Sequence, residues 1–348
     1  MVWVAEEIAQ RTLEGFAWEV FGDGDGHVQV RFDTSLMSLD RHLKTRWQVP
    51  WDKDRQLAAS PHGLLFLDGS RIQQLDPDGE IATVGSAPAF AGADKPGRVL
   101  ASVTDGFVLG SVGRIACVDG AGGSVWPSVR SCGSNPTSAI VSGDRLLVLT
   151  NSLDYTAWGY LGPALLLELR DGSQIAELRG ARGAAFGGGS FILGLEGYDV
   201  FDTWLHGPDG RLLQQWRSYG HYVVDPDQSV RVVERDRTTP TRSRVVRLLR
   251  SGLIEQGPAL QDSQASSPVK LDDGTILFLD GGTLMAVDPA LVESKPTCLL
   301  PMPAGEMWRY DAWLALEGDV LFVVIRERTR EAPIVYTARF WSLRVARR

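Results

Sequence analysis

The sequence predicts an all-β fold, a ring of four-stranded antiparallel sheets forming a single β-propeller. Three observations carry this: one segment grammar recurs along the chain, its period is about 42 residues, and short apolar runs bounded by turn residues fill the intervals. The grammar is plainest in IACVDGAGGSVW (115–126), where an apolar run ends in Val-Asp, turns through glycines and restarts in apolar residues.

The same grammar stands in SLMSLDRHLKTRW (35–47), RIQQLDPDGEIATV (71–84) and TLMAVDPALVESKP (283–296). The anchors Asp40, Asp76, Asp119 and Asp288 are 36, 43 and 169 residues apart, the last step being four periods of about 42. Weaker copies, LELRDGSQIAEL (167–178), LHGPDGRLLQQW (205–216) and RLLRSGLIEQG (247–257), occupy the long gap. Two more strand-like runs precede each copy, such as RVLASVTD and GFVLGSVG before the third. Runs of Val, Ile, Leu and Phe bounded by Asp-Gly or Gly-Gly read as antiparallel strands joined by tight turns.

Four strands, A to D, in 40–45 residues make one propeller blade. First strands start near residues 15, 54, 98, 137, 183, 221, 267 and 311, giving eight units at steps of 38–46. The expected blades are 14–50, 52–86, 97–130, 137–179, 183–217, 221–257, 267–302 and 311–345 of one domain over 1–348. Seven blades is the alternative, because blade one is the weakest repeat. The last unit holds WLALEG, VLFVVIRE and IVYTARFWSL, but little chain remains for a fourth strand. The lead-in 1–13 contains VWVAEE, which can supply it and remove an exposed edge. Residues 2–6 are expected to pair with 334–342.

With Trp47, Trp126 and Trp216 expected to end D strands, this grammar resembles the repeats of quinoprotein-like (PQQ-type) propellers. The resemblance covers nearly the whole chain, with blade three the fair match, although Asp119 to Trp126 is one residue shorter than the usual spacing. It implies that the repeat Asp and Trp stabilise blades and do not catalyse. A quinone-dependent dehydrogenase also needs a calcium-ligand set, a catalytic Asp and usually an export signal. The adjacent-cysteine pair of many such enzymes is absent.

The net charge of −8 argues against a general nucleic-acid binder. Arg outnumbers Lys 30 to five, a bias that a GC-rich genome also produces. Cys117, Cys132 and Cys298 are odd in number and unpaired in spacing, which suits a reducing compartment. The start, MVWVAEEIAQ, lacks the basic region and longer apolar core of a signal peptide, and no run reaches the ~18 apolar residues of a membrane span. The expected location is the cytoplasm.

No zinc pairing links His27, His42, His62, His206 or His221, and neither a nucleophile elbow nor a phosphate-binding loop is present. GDGDGH (22–27) reads as a plain turn, since the third ligand and closing Glu of a calcium loop are missing. No catalytic, cofactor or metal residue is assigned. Glu196 and Asp199, in GLEGYDVFD, are the best carboxylates for a channel site, with an ordinary polar turn as the simpler reading.

In a propeller the A–B and C–D turns open on one face, the B–C and D–A loops on the other. The first set is short and acidic. The second is longer, irregular, and rich in Arg and aromatics, where rigid scaffolds carry function. NSLDYTAWGYLG (151–162) offers Tyr155, Trp158 and Tyr160; RGARG (179–183) offers Arg182; RSYGHY (217–222) offers Arg217 and Tyr219. RDRTTPTRSR (235–244) adds Arg235, Arg237 and Arg242. GEMWRYDAW (305–313) adds Trp308, Arg309 and Tyr310, and RERTREAP (326–333) adds Arg328 and Arg330. Arg, Trp and Tyr are the types enriched at protein-binding hot spots, and Arg favours an anionic surface. The expectation is a non-enzymatic scaffold docking another protein, as a subunit of a bacterial assembly or an immunity protein. The alternative is a lactonase-like hydrolase or lyase with its site in the central channel.

Overall fold

Turn residues and apolar runs alternate through the whole chain, and the computed structural model resolves them into eight antiparallel sheets arranged as a propeller. The structure describes residues 3–60, 62–87, 97–104, 106–151, 163–196, 201–235, 243–261, 265–294, 307–308, 312–329 and 332–347. The chain opens with β1 (Trp3–Glu14). Blade one follows as β2 (Glu19–Gly22), β3 (Val28–Arg31), β4 (Ser35–Leu39) and β5 (Thr45–Pro50). Blade two is β6 (Ala58–Ser60), β7 (Gly63–Asp68), β8 (Arg71–Leu75) and β9 (Ile81–Ser86). Blade three is β10 (Arg98–Val103), β11 (Gly106–Ser111), β12 (Arg114–Val118) and β13 (Arg130–Ser131). Blade four is β14 (Asn135–Ser142), β15 (Arg145–Asn151), β16 (Pro163–Glu168) and β17 (Gln174–Arg179). Blade five is β18 (Arg182–Gly187), β19 (Ser190–Glu196), β20 (Phe201–His206) and β21 (Leu212–Trp216). Blade six is β22 (Gly220–Val224), β23 (Val230–Glu234), β24 (Arg244–Leu248) and β25 (Ile254–Ala259). Blade seven is β26 (Val269–Lys270), β27 (Ile276–Asp280), β28 (Thr283–Val287) and β29 (Glu293–Ser294). Blade eight is β30 (Met307–Trp308) and β31 (Ala312–Glu317), both on β32 (Val320–Thr329), then β33 (Tyr336–Arg347), with β1 outermost.

Within blades one to seven the strands pair in chain order. The B and C strands, such as Gly63–Asp68 and Ile276–Asp280, are continuous apolar runs because both faces of each sheet are covered. Successive side chains point to opposite faces, so Leu64 and Phe66 pack toward blade one while Leu65 and Leu67 pack toward blade three. The buried apolar residues divide into eight clusters, one between each neighbouring pair of blades.

The N-terminal strand closes the ring, in a register other than the expected one. Trp3 faces Arg347 and Glu6 faces Arg344, whereas residues 337–342 are met by Glu14 to Ala9. The last strand runs on beyond 342 because Leu343 and Val345 belong to the core against blade seven, and the closing strand follows it. Arg11 in β1 donates to the Leu43 carbonyl at 2.7 Å, so the two ends of the chain are also tied through blade one.

The repeat aspartates act as turn locks. Asp40 Oδ1 accepts from the backbone N–H groups of His42 and Lys44, Asp76 Oδ1 from Asp78 and Glu80, and Asp119 Oδ1 from Ala121 and Gly123. The repeat tryptophans lock blade to blade. Trp47 Nε1 donates to the Pro77 carbonyl at 2.8 Å, Trp126 Nε1 to Leu169 at 2.8 Å, and Trp216 Nε1 to Leu249 at 3.1 Å. Each acceptor sits in or beside the C–D turn of the following blade. Of the three, Trp216 alone ends its strand: Trp47 lies inside β5, and Trp126 precedes β13, in a loop held by a single bridge between Val118 and Ser124. The Trp126 ring is nonetheless fully buried.

Two predictions follow from these contacts. Trp126→Ala is expected to cost about 3–5 kcal/mol, and Trp126→Phe about 1–3 kcal/mol through the orphaned Leu169 carbonyl, both read by denaturant unfolding. Gly172 approaches the indole so closely that an added Cβ would lie 2.5 Å from it, and its φ is +68°, so Gly172→Ala should also destabilise. Second, deletion of residues 1–14 should leave β33 as an open edge, seen as a lower melting temperature and self-association in size-exclusion chromatography. A truncated chain that stays monomeric and melts like the parent would contradict closure by β1.

Candidate functional site at the channel mouth

The A strands line the centre of the ring, and those of blades four to seven border an open cavity of about 360 Å³. It lies toward the ends where A strands begin, on the face of the B–C and D–A loops. Its polar side is built by Arg182 at the start of β18, His221 near the start of β22, and Ser267 just before β26. Ile140, Leu149 and Pro268 supply an apolar wall.

Arg182 Nη1 and Ser267 Oγ each lie 2.9 Å from His221 Nδ1. A guanidinium can only donate, so Nδ1 is the acceptor and the ring carries its proton on Nε2. Burial, reinforced by the positive charges of Arg182 and Arg235, holds the imidazole well below its ordinary value of 6.5. Arg182 also lies 6.0 Å from the centre of the Tyr219 ring, over its face. No carboxylate among the described residues is within ion-pair distance of it.

A polar chain supports the floor. Thr203 Oγ1 donates to the Ser218 carbonyl at 2.5 Å, which leaves it to accept from the Tyr222 hydroxyl at 2.9 Å. Burial raises the Tyr222 phenol above its usual value, so it stays a neutral donor. The hydroxyl lies against Gly194, where an added Cβ would stand 1.7 Å away, so glycine is required there.

Arg182, Tyr219 and Arg235 are thus drawn around the cavity, while Arg217 is exposed on the same face. Tyr219 is buried, with 4% of its surface accessible, so it supports Arg182 and does not present itself to a partner. Its ring is covered because Tyr219, in the connection just before β22, packs against Gly194 of blade five. Arg328 faces Tyr336 in β33, and Trp308 pairs with Arg328 through the backbone of β30. Tyr155, Trp158, Tyr160, Arg237, Arg242, Arg309, Tyr310 and Arg330 lie outside the described residues, as does Asp199. Among the described residues no three His, Cys, Asp or Glu side chains converge as a metal site. Asp23 in GDGDGH caps its own turn, accepting from the N–H groups of Asp25 and His27. His221 and Ser267 escape sequence reading: the only signal is that His221 stands in an irregular D–A connection.

The two faces use arginine differently. On the C–D side, Arg46 donates to the Pro77 carbonyl, Arg130 to Asp171, Arg145 to Pro208 and Arg247 to Pro289, each reaching the next blade. On the other side, exposed Arg71, Arg114, Arg179 and Arg217 make no hydrogen bond or ion pair with a described residue. Pairs on that side include Arg31–Glu19, Arg55–Asp68 and Arg339–Glu327.

No protein-family model matches the chain, and no curated protein matches it in sequence. Solved structures similar to it include the Neurospora crassa Pan2 WD40 domain, at 10% identity over 98% of this chain and 95% of that one, with a TM-score of 0.47. A eukaryotic initiation factor matches at 10% identity, 94% and 90% coverage and a TM-score of 0.49. A Synechocystis apocarotenoid oxygenase matches at 14% identity, 86% and 94% coverage and a TM-score of 0.41. The class defined by the chain's own sheets is an eight-bladed β-propeller of four-stranded antiparallel blades.

His221 sets a pH dependence. Its folded-state value lies below the unfolded one, so at low pH the unfolded chain takes up the proton first. Stability is therefore unaffected above pH 6.5 and is lost as the pH falls below it, by up to about 1.4 kcal/mol per pH unit. His221→Asn keeps an acceptor near the Nδ1 position and cannot titrate. Between about pH 7.5 and pH 5, the parent's melting temperature should fall further than the variant's. His206, lowered by burial in the same direction, contributes equally to both.

Proposed function

We propose that this propeller is a scaffold that docks another protein through its B–C and D–A face, and that the partner surface is acidic. The observation that carries the reading is the asymmetry in arginine use: on one face guanidiniums are tied into inter-blade bonds, whereas on the other the exposed Arg71, Arg114, Arg179 and Arg217 have no partner among the described residues. Unpaired positive charge on an otherwise acidic chain of net charge −8 steers an anionic surface to one side. Of the expected contact set, Arg217 is exposed with no partner among the described residues, Arg328 lies near the end of β32 on the same face, and the loops at 151–162 and 235–244 are further contributors. Work in the cytoplasm, in an assembly or as an immunity protein, belongs to the same proposal. None of the described residues forms a helix long and apolar enough to cross a membrane.

A second reading, a hydrolase or lyase acting in the channel, draws support from the cavity and its neutral imidazole. Against His221 as a general base stands the occupation of its free lone pair by two donors.

The test is an affinity pull-down from host lysate with the parent chain and an Arg217→Glu/Arg328→Glu form. One stoichiometric protein should be recovered with the parent, released by rising salt, and lost with the reversed form. Equal recovery by both would overturn docking through this face.

A further inference from the structure

We propose that the cavity at the channel mouth is a binding site for a small organic carboxylate, held by Arg182 and Ser267 and packed on Ile140, Leu149 and Pro268. The inference stands apart from the docking reading, since it concerns the channel wall and not the outer loops.

The Nδ1 atom of a neutral imidazole has one in-plane lone pair. Two donors, Arg182 Nη1 and Ser267 Oγ, are aimed at it from 2.9 Å each. One lone pair cannot satisfy both well, so donor capacity is left over at the cavity surface. Because both donors converge on one nitrogen, they stand close enough together to share a single oxyanion.

Charge points the same way. The Arg182 guanidinium lines the cavity with no carboxylate partner among the described residues, and its contact over the Tyr219 ring fixes its position without neutralising it. Cavities with an apolar lining and a few convergent polar groups are the usual form of small-ligand sites, and about 360 Å³ is at the small end of their range. A single guanidinium with one hydroxyl balances a monoanion, whereas a phosphate dianion calls for more donors than these two. Ile140 and Leu149, from adjacent strands of blade four, and Pro268 of blade seven give an aliphatic body something to bury against. The chemistry therefore selects a carboxylate on a compact apolar body. That carboxylate could belong to a free acid or to the C-terminus of a peptide.

The experiment is calorimetric titration of the full chain with benzoate and, as the uncharged isostere, benzamide. Benzoate should bind with a Kd of about 1 mM or tighter, and benzamide should give no saturable heat. Arg182→Gln should weaken benzoate at least about tenfold, the loss expected for one charge-assisted hydrogen bond. Ser267→Ala should weaken it less, and Arg182→Lys should fall between the parent and the glutamine form. Thermal melts of each variant establish that it is folded. An N-acetylated tripeptide with a free C-terminus, run against its amide, separates the two sources. Tighter binding of the free-acid peptide than of benzoate makes the site a terminus receptor; the reverse makes it a metabolite site. Binding of neither acid, equal binding of benzoate and benzamide, or a folded Arg182→Gln form that binds like the parent would overturn the proposal. Arg217→Glu should leave benzoate affinity unchanged whatever it does to partner recovery.

Discussion

Everything in this molecule depends on closure of the ring. Each blade is a thin sheet with apolar side chains on both faces, and it can bury them only between two neighbours. Seven of the eight inter-blade clusters would form in an open arc, but an arc leaves two apolar faces and an unpaired strand edge in water. The antiparallel pairing of Trp3–Glu14 with Tyr336–Arg347 removes both liabilities at once. It does so by joining the two ends of the chain, so the blade with the greatest sequence separation between its strands is also the one that secures the rest.

Once the ring is closed, turn chemistry and blade docking share one face. Asp40, Asp76, Asp119 and Asp288 satisfy backbone donors within their own C–D turns, and C–D turn carbonyls accept from the preceding blade. Those carbonyls receive indole N–H groups from Trp47, Trp126 and Trp216, and guanidinium groups from Arg46, Arg145 and Arg247. Arginine suits this position better than lysine, because its planar fork can hold a carbonyl and a carboxylate together. Arg145 does so with the Pro208 carbonyl and the Glu168 carboxylate. In blade six the pattern goes inward: fully buried Arg231 grips Asp225 through two nitrogens and reaches the Val287 carbonyl of blade seven. That face is committed to holding the ring. The opposite face carries longer loops and four exposed arginines, Arg71, Arg114, Arg179 and Arg217, that have no partner among the described residues, and it is there that the channel opens beside Arg182.

Much of this is legible before any coordinates. Repeat period, strand number per blade, the count of eight, closure by the N-terminal segment and the sidedness of the loops all rest on local signals, namely turn residues and apolar runs at a fixed spacing. What escaped were relations across blades. The tyrosine at 219 reads as an exposed hot-spot aromatic, yet it lies under Arg182 because the connection before β22 packs it against Gly194 of blade five. Trp126 reads as the end of a strand, yet it stands in the loop before β13 while its docking contact to Leu169 is kept.

The sequence by itself determined the architecture, because a four-stranded unit is specified by signals within about 42 residues and its copies can only be buried against one another. The tertiary structure alone decided the register of closure, the burial of Tyr219 and the meeting of Arg182, His221 and Ser267. Those three residues stand about 40 positions apart on three successive blades, and nothing local marks them. They meet because the A strands of successive blades converge on the ring axis, and that convergence exists only when all eight blades are in place.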